Sequence, residues 1–179
     1  MAHALNTTQV EVSGIAIKSL LKGMEFLKIK AQRILAAHGI ESLDPEQWYP
    51  LQAVLLCFED VLAQVGPHTL RAIGRSVPAH VDFPPHVDSL GTAMLSLDAA
   101  YRIDHRGKGD IGGYHYQFKD GHTALMRCDN PYPCEFDQGL LEALYDRFPP
   151  KGSIRLRLEH DLASCRSRGD STCIYHLKW

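Results

Sequence analysis

The spacing of apolar residues changes along the chain from a helical period to a strand period. Over residues 15–37, apolar side chains recur every three to four positions with lysines between them, which predicts an amphipathic helix that ends near Gly39. The same spacing predicts three more helices in the first part of the chain, over residues 45–65, 68–75 and 87–101.

Proline marks the boundaries of these helices. Asp44, Pro45 and Gln47 have the residue types of an N-cap, a first-turn proline and the third-position amide of a capping box, and Pro50 is a candidate kink. Residues 76–87 are rich in proline and histidine, which predicts a loop lying over the core.

Strand-like alternation begins after residue 112. Aromatic residues alternate with polar ones over residues 113–118, and the turn at 119–122 leads into a second alternating segment, so a β-hairpin is predicted. A helix over residues 136–148 and strands near 154–159 and 172–179 follow. Helices first and strands later indicate the α+β class, with N-terminal helices packed on an antiparallel sheet.

Length and composition narrow the class of protein. The 179 residues suit one domain over 1–179, and 45% hydrophobic with 22% charged residues is typical of a globular chain. A net charge of −2 argues against a nucleic-acid partner. Residues 1–10 lack a basic segment before an apolar one, and no apolar run has the length of a membrane span, so a cytoplasmic protein is expected.

The five cysteines are expected to be free thiols in such a compartment. Cys57 lies in an apolar stretch and is predicted to pack as a small hydrophobic side chain. Cys128, Cys134, Cys165 and Cys173 form two pairs on two loops flanked by strands, an arrangement that can supply a tetrahedral zinc site. Buried free thiols are the alternative that the spacing leaves open.

The C-terminal part carries a motif. The run Cys165, Gly169, Asp170 and Cys173 before an aromatic-rich strand, with Cys134 upstream, resembles the 4-vinyl reductase domain family. That family includes the phenol-sensing domains of aromatic-responsive bacterial regulators and is related in fold to the trafficking-particle (TRAPP) proteins. The resemblance implies a TRAPP-like domain in which Cys134, Cys165 and Cys173 bind a structural zinc.

The fourth zinc ligand does not follow from this resemblance. The family uses a glutamate three residues before the second cysteine, where this chain has Leu162. Cys128 is therefore the predicted fourth ligand, and Glu159, His160 and Asp161 are the substitutes. A site with four protein ligands has no open position and would stabilise the fold without activating water.

Candidate ligand-binding residues come from the histidines and aromatics. His86 on the proline-rich loop and His105 are the histidines best placed to meet a ligand, although no pair has the spacing of a metal-binding H-E-x-x-H motif. Tyr114 and Tyr116 alternate along a strand and are candidates to line a pocket. The alternative is that these side chains are ordinary core residues.

The favoured hypothesis is a small-molecule sensory or carrier domain with a structural zinc, not an enzyme. Its expected ligand is small and either apolar or aromatic. The resemblance also implies a homodimer that forms through the helix over 15–37. A separate partner protein is expected to receive the signal. One alternative is a tetrapyrrole-related reductase or accessory factor, or a haem-binding sensor, although no residue specifically indicates haem. The other is a structural adaptor without a ligand.

Overall fold

A computed structural model of the chain describes residues 7–24 and 28–179. The prediction that residues 1–10 carry no export signal falls largely on residues 1–6, which lie outside this range. Within the described part, no helix is both long and apolar enough to cross a membrane.

The N-terminal part combines a small sheet with helices. Strand β1 (Val10–Ser13) pairs antiparallel with β2 (Trp48–Pro50) on one side and with β3 (His105–Gly107) on the other. The α-helices described in this part are α1 (Gly14–Lys22), α2 (Lys28–Ala37), α3 (Leu51–Gln64), α4 (Pro67–Ser76) and α5 (Leu90–Asp104).

The C-terminal part contains the larger sheet and one further helix. Its strands are β4 (Tyr114–Asp120), β5 (Thr123–Cys128), β6 (Arg157–His160) and β7 (Cys173–Lys178), and the helix is α6 (Cys134–Arg147). The strand order is β4-β5-β7-β6, with every neighbouring pair antiparallel. The α+β class predicted from the sequence is confirmed.

Local capping ties the first and fifth helices together. The Ser13 side chain accepts a hydrogen bond from the backbone N–H of Ala16 as the N-cap of α1, and its hydroxyl donates to Asp104 at the end of α5. Ser89 and Thr92 form a reciprocal capping box at the start of α5. The Ser13 contacts thus join the start of α1 to the end of α5 beside the small sheet.

Two glycines allow α4 and α6 to pack closely. A Cβ atom at Gly74 would clash with the carbonyl oxygen of Phe136, and one at Gly139 would clash with that of Arg71. The helix faces around this crossing carry Leu70, Ile73, Leu141 and Leu144, all fully buried. The buried apolar side chains of helices and sheets join in one core cluster.

Several element boundaries differ from the predicted ones. The helix predicted over 15–37 is two helices, because Gly23 packs against Ile73 and Ser76 of α4 and ends α1 there; residues 25–27 lie outside the described part. The helix predicted from residue 45 begins only after Pro50, which is its N-cap and not a kink. The Asp44 carboxylate accepts from Glu46 N–H in a turn instead of capping a helix.

The small sheet was not predicted, because strands of three or four residues are too short to show alternation. The strand predicted from residue 154 begins at Arg157, and Ile154 is almost fully exposed. The β-hairpin, α4 and the last strand agree with the predicted elements within one or two residues.

The close crossing of α4 and α6 generates a testable prediction. Gly139→Ala should lower the free energy of unfolding by about 1–3 kcal/mol, because the added methyl group must push the helices apart. Gly121→Ala, in the β4–β5 turn where an added Cβ meets nothing within 4 Å, is the control and should change it by less than about 0.5 kcal/mol. Urea denaturation measures both; equal stabilities of the two variants would contradict the packing account.

Candidate functional site

A cavity of about 110 Å³ lies between α1, α5 and α6. Apolar side chains form most of its wall, among them Leu20, Leu97, Phe136 and Leu140. Tyr101, His105, Tyr114 and Tyr132 also line the wall, together with the polar side chains of Ser19 and Asp104. The cavity reaches the surface beside Ala100, whose side chain lines it and is also exposed.

His105 is the buried polar residue at this wall. Its Nδ1 lies 2.8 Å from the carbonyl oxygen of Tyr101, and its Nε2 lies 2.7 Å from the hydroxyl of Tyr132. A carbonyl oxygen only accepts, so Nδ1 carries the proton and Nε2 accepts from the Tyr132 hydroxyl. The ring stacks on the Tyr101 ring at a centroid distance of 3.9 Å, which fixes its orientation.

Burial keeps this pair neutral. Desolvation lowers the pKa of His105 below its ordinary value, although the Tyr101 carbonyl and the nearby Asp104 act in the opposite sense. Desolvation also raises the pKa of Tyr132 well above its ordinary value. The cavity wall therefore offers a neutral imidazole and a neutral phenol at physiological pH.

An aromatic cluster surrounds the cavity. Tyr132 packs edge-on against Phe58 at 5.6 Å and lies 5.0 Å from the Phe136 ring, while Tyr101 meets Tyr114 edge-on at 5.9 Å. The Tyr101 hydroxyl donates to the carbonyl oxygen of Ile111 at 2.6 Å. These contacts hold the tyrosine rings in single orientations around the empty space.

Beneath the cavity wall lies a buried ion pair. Asp137, in the first turn of α6, is fully buried and forms a salt bridge with Arg166, which is 12% exposed. The Tyr114 hydroxyl donates to Asp137 at 2.9 Å. Burial raises the pKa of Asp137, while Arg166 and the Tyr114 hydrogen bond act in the opposite sense.

Arg166 extends this network in two directions. Its guanidinium donates to the side-chain oxygen of Asn130 at 2.7 Å, and Asn130 in turn accepts from the backbone N–H of Tyr132 at 2.9 Å. Its Nε donates to Cys173 Sγ at 3.3 Å. One arginine thus connects the cavity wall to the cysteines.

Four potential metal-ligating side chains converge beside Arg166. Cys134, His160, Cys165 and Cys173 offer ligand atoms that all lie within 4.8 Å of one another. The sulfurs of Cys134 and Cys173 are 3.4 Å apart. A hydrogen bond from Cys134 and the charge of Arg166 lower the pKa of Cys173, and the same pairing raises the pKa of Cys134.

His160 is the histidine of this group. Its ring stacks on Tyr175 at 4.6 Å, and its Nε2 is buried without a hydrogen-bond partner among the described residues. The group contains three of the four cysteines named from the sequence. Cys128 is fully buried on β5, opposite both Tyr114 and Cys173, and is not a member. The assignment of the four cysteines as metal ligands stays a prediction.

The structure brings together two of the four predicted ligand-binding residues. His105 and Tyr114 both line the cavity. His86 is exposed on the loop before α5, and Tyr116 is half-buried on β4 outside the cavity lining. Their role in ligand binding is likewise still a prediction. Cys57 is buried in the core, where burial raises its pKa to about 12, as expected of a packed thiol.

Sequence reasoning missed Tyr101, Tyr132, Asp137 and Arg166. Tyr132 stands between two prolines in a turn. An aromatic residue at such a position often packs against the core, and this signal could have identified Tyr132. Asp137 and Arg166 are 29 positions apart, and no local pattern distinguishes a buried charge from an exposed one.

The fold defined here is that of the H-NOX proteins. No family model and no curated protein matches the chain at a significant level. Among solved structures, an H-NOX protein from S. oneidensis in the Fe(II)NO state has a TM-score of 0.68 at 14% identity, over 93% of this chain and 98% of that one. A variant of an H-NOX protein from K. algicida, in the unliganded Fe(II) state, has a TM-score of 0.69 at 11% identity, over 93% and 95%.

A variant of the T. tengcongensis H-NOX protein has a TM-score of 0.63 at 12% identity, over 91% of this chain and 94% of that one. Two further neighbours are described through distortion of their haem or porphyrin. At these identities the likeness establishes the fold.

Two expectations from the sequence are corrected by this comparison. The resemblance to the 4-vinyl reductase and TRAPP-like proteins is wrong, because the neighbours in fold are H-NOX proteins. The expectation of a structural zinc as the cofactor is wrong as well, because the cofactor named for these neighbours is haem. The cysteine motif misled because closely spaced cysteines near a last strand are not specific to one fold.

The buried ion pair can be tested by removing one charge. Asp137→Asn should lower the free energy of unfolding by about 3–5 kcal/mol, because Arg166 is then left buried without a counter-charge. Glu159→Gln, which removes the exposed partner of Arg157, should cost less than about 1 kcal/mol. Chemical denaturation of both variants checks this, and a loss at Asp137 no larger than at Glu159 would contradict it.

The neutral state of His105 predicts a pH dependence of stability. The unfolded chain binds a proton at this histidine with a pKa of about 6.5, whereas the folded chain binds it only at lower pH. The free energy of unfolding should therefore fall as the pH decreases below about 6.5, by at most about 1.4 kcal/mol per pH unit for one proton.

His105→Gln should show a shallower decrease between pH 7 and 5 than the wild type in thermal or urea unfolding. His86→Gln, at the exposed loop histidine, is the matched control and should keep the wild-type slope. An unchanged slope in His105→Gln would show that His105 is not held neutral by the fold.

Proposed function

We propose that this chain is a sensory domain that binds a small molecule in the cavity beside His105. The observation that carries the proposal is a mostly apolar cavity with a few convergent polar groups, one of them a buried neutral histidine with a fixed tautomer. Cavities of this composition are the usual sites for small ligands. A ligand-free adaptor has no need of such a space, so the cavity favours the sensor over the adaptor.

The neighbours in fold also favour a ligand-binding sensor. Two of them are described in the Fe(II)NO and Fe(II)CO ligation states, so this fold can enclose a small-molecule site. A haem-binding sensor, one of the alternatives from the sequence, is therefore nearer to these neighbours than the zinc-stabilised domain.

The residues around the cavity do not fit a haem. Pockets for drug-sized ligands measure roughly 300–1,000 Å³, several times the volume found here. His105 Nε2, the nitrogen that would face an iron, is occupied by the Tyr132 hydroxyl. Among the described residues, no lysine or arginine lines the cavity to pair with the propionates, and Asp104 contributes a carboxylate instead. We therefore propose sensing without haem.

Occupancy of the cavity has a physical route to the rest of the domain. A ligand that shifts Tyr132 or Tyr114 acts on hydrogen bonds to Asn130 and Asp137, and both of these bind Arg166. Arg166 lies in the loop before β7. Ligand binding is therefore proposed to change the position of this loop, which requires that the ligand bind one arrangement more tightly than the other.

The partner surfaces are further proposals. The expected dimer through residues 15–37 draws support from Ile15 on α1 and Ile29 on α2, whose side chains are both largely exposed. Contact with a second copy would bury them. A separate signalling partner is also a proposal.

A plug at the cavity opening tests the proposed function. Ala100→Trp places an indole where the cavity reaches the surface, whereas Ala99→Trp places the same group on the exposed neighbouring position outside the lining. After incubation with a metabolite extract and desalting, mass spectrometry should find the same retained compound on the wild type and on Ala99→Trp, and little on Ala100→Trp. Equal retention by Ala100→Trp, or none by the wild type, would contradict the proposal.

A further inference from the structure

The volume of the cavity limits its ligand to one ring. An apolar cavity of about 150 Å³ in another protein holds benzene, and the space here is about 110 Å³. A five- or six-membered ring is therefore about the size that the space accepts, and a fused ring or a porphyrin would have to extend out of the opening beside Ala100 or move the walls.

The hydrogen bonds at the wall determine what the ligand must offer. Because Nδ1 of His105 donates to the Tyr101 carbonyl, Nε2 accepts and the Tyr132 hydroxyl is the donor between them. The Tyr132 hydrogen is thereby used, but its oxygen still has a lone pair to accept a hydrogen bond. The Tyr132–His105 pair can therefore accept a hydrogen bond from a ligand, but it has no hydrogen left to donate to one.

Charge is disfavoured on the ligand in either sign. A carboxylate would meet Asp104 and no basic side chain among the described residues of the lining. A cation would lose its hydration against a wall that is mostly apolar, and the single Asp104 carboxylate, which already accepts from the Ser13 hydroxyl at 2.6 Å, offsets only part of that cost. A neutral molecule avoids both costs.

The surrounding rings favour an aromatic ligand. Tyr101, Tyr114, Tyr132 and Phe136 all line the cavity, and they already meet one another edge-on or tilted. A further ring can adopt the same edge-to-face geometry with these side chains.

Resting on the proposed function, we infer that the ligand class of this cavity is a neutral single-ring aromatic molecule that donates one hydrogen bond to the Tyr132–His105 pair. Tyr132 and His105 select for the donor, and the aromatic wall selects for the ring. The cavity is thus a selective site for N–H or O–H bearing rings.

Pyrrole and furan form a matched pair of probes, because the two rings are nearly the same size and only pyrrole has an N–H donor. Their binding to the full chain can be measured by titration calorimetry or by NMR. Pyrrole should bind about five- to tenfold more tightly than furan, the ratio expected for one net hydrogen bond. Equal affinities, or tighter binding of furan, would overturn the inference.

A double variant tests whether the Tyr132–His105 pair is the source of this preference. Tyr132→Phe alone exposes Nε2 of His105 to the ligand, so pyrrole should keep its preference by donating to that nitrogen. Tyr132→Phe with His105→Phe removes both acceptors of this pair and leaves Asp104 on the wall, and the ratio should fall to about one while furan still binds. Retention of the pyrrole preference in the double variant would overturn the assignment.

Two further measurements keep the result decisive if the double variant does not fold. Ala100→Trp should lose both probes and Ala99→Trp should keep both, since only the first fills the opening. Haemin titration of the wild type should give no stoichiometric shift of the Soret band. Stoichiometric haemin binding without pyrrole binding would overturn the inferred ligand class, but the chain would still be a ligand-binding domain. If no probe binds and Ala100→Trp retains as much compound from the extract as the wild type does, the ligand class and the proposed function are both overturned.

Discussion

The salt bridge between Asp137 and Arg166 is the interaction on which the C-terminal half of this domain depends. It joins the first turn of α6 to the loop before β7, two segments that the chain separates by a strand and a long connection. Burying two charges is costly unless other polar groups satisfy them, and Tyr114 and Asn130 do so here. Because Tyr114 also lines the cavity and Arg166 also contacts Cys173, cavity and cysteines share one electrostatic framework.

The helices and the hairpin could be predicted from the sequence, because their periodicity follows from local burial. The small sheet could not, since β1, β2 and β3 are short and are brought together from distant parts of the chain. The site was predicted only in part. His105 and Tyr114 were named from the sequence by residue type and both line the cavity, while their role in ligand binding stays a prediction; Tyr101 and Tyr132 reach the cavity through tertiary contacts that no local pattern encodes. The cysteine motif suggested the wrong fold, because loops of unrelated proteins can bring thiols together.

The likeness to the H-NOX proteins concerns the fold. This chain and the H-NOX proteins share their architecture over more than nine-tenths of the chain at 11–15% identity. In this chain, tyrosine rings and a histidine that bonds to one of them form part of the cavity wall. A shared fold therefore predicts where a ligand binds better than it predicts which ligand binds.

His105 occupies a second place in the structure besides the cavity wall. Its backbone begins β3 and lies opposite Val12 in the ladder with β1, directly beside the Ser13 cap that starts α1. The ring of this one residue thus belongs to the cavity wall, and its backbone belongs to the N-terminal sheet. A displacement of His105 large enough to move its backbone would therefore also disturb the pairing of β3 with the first strand of the domain.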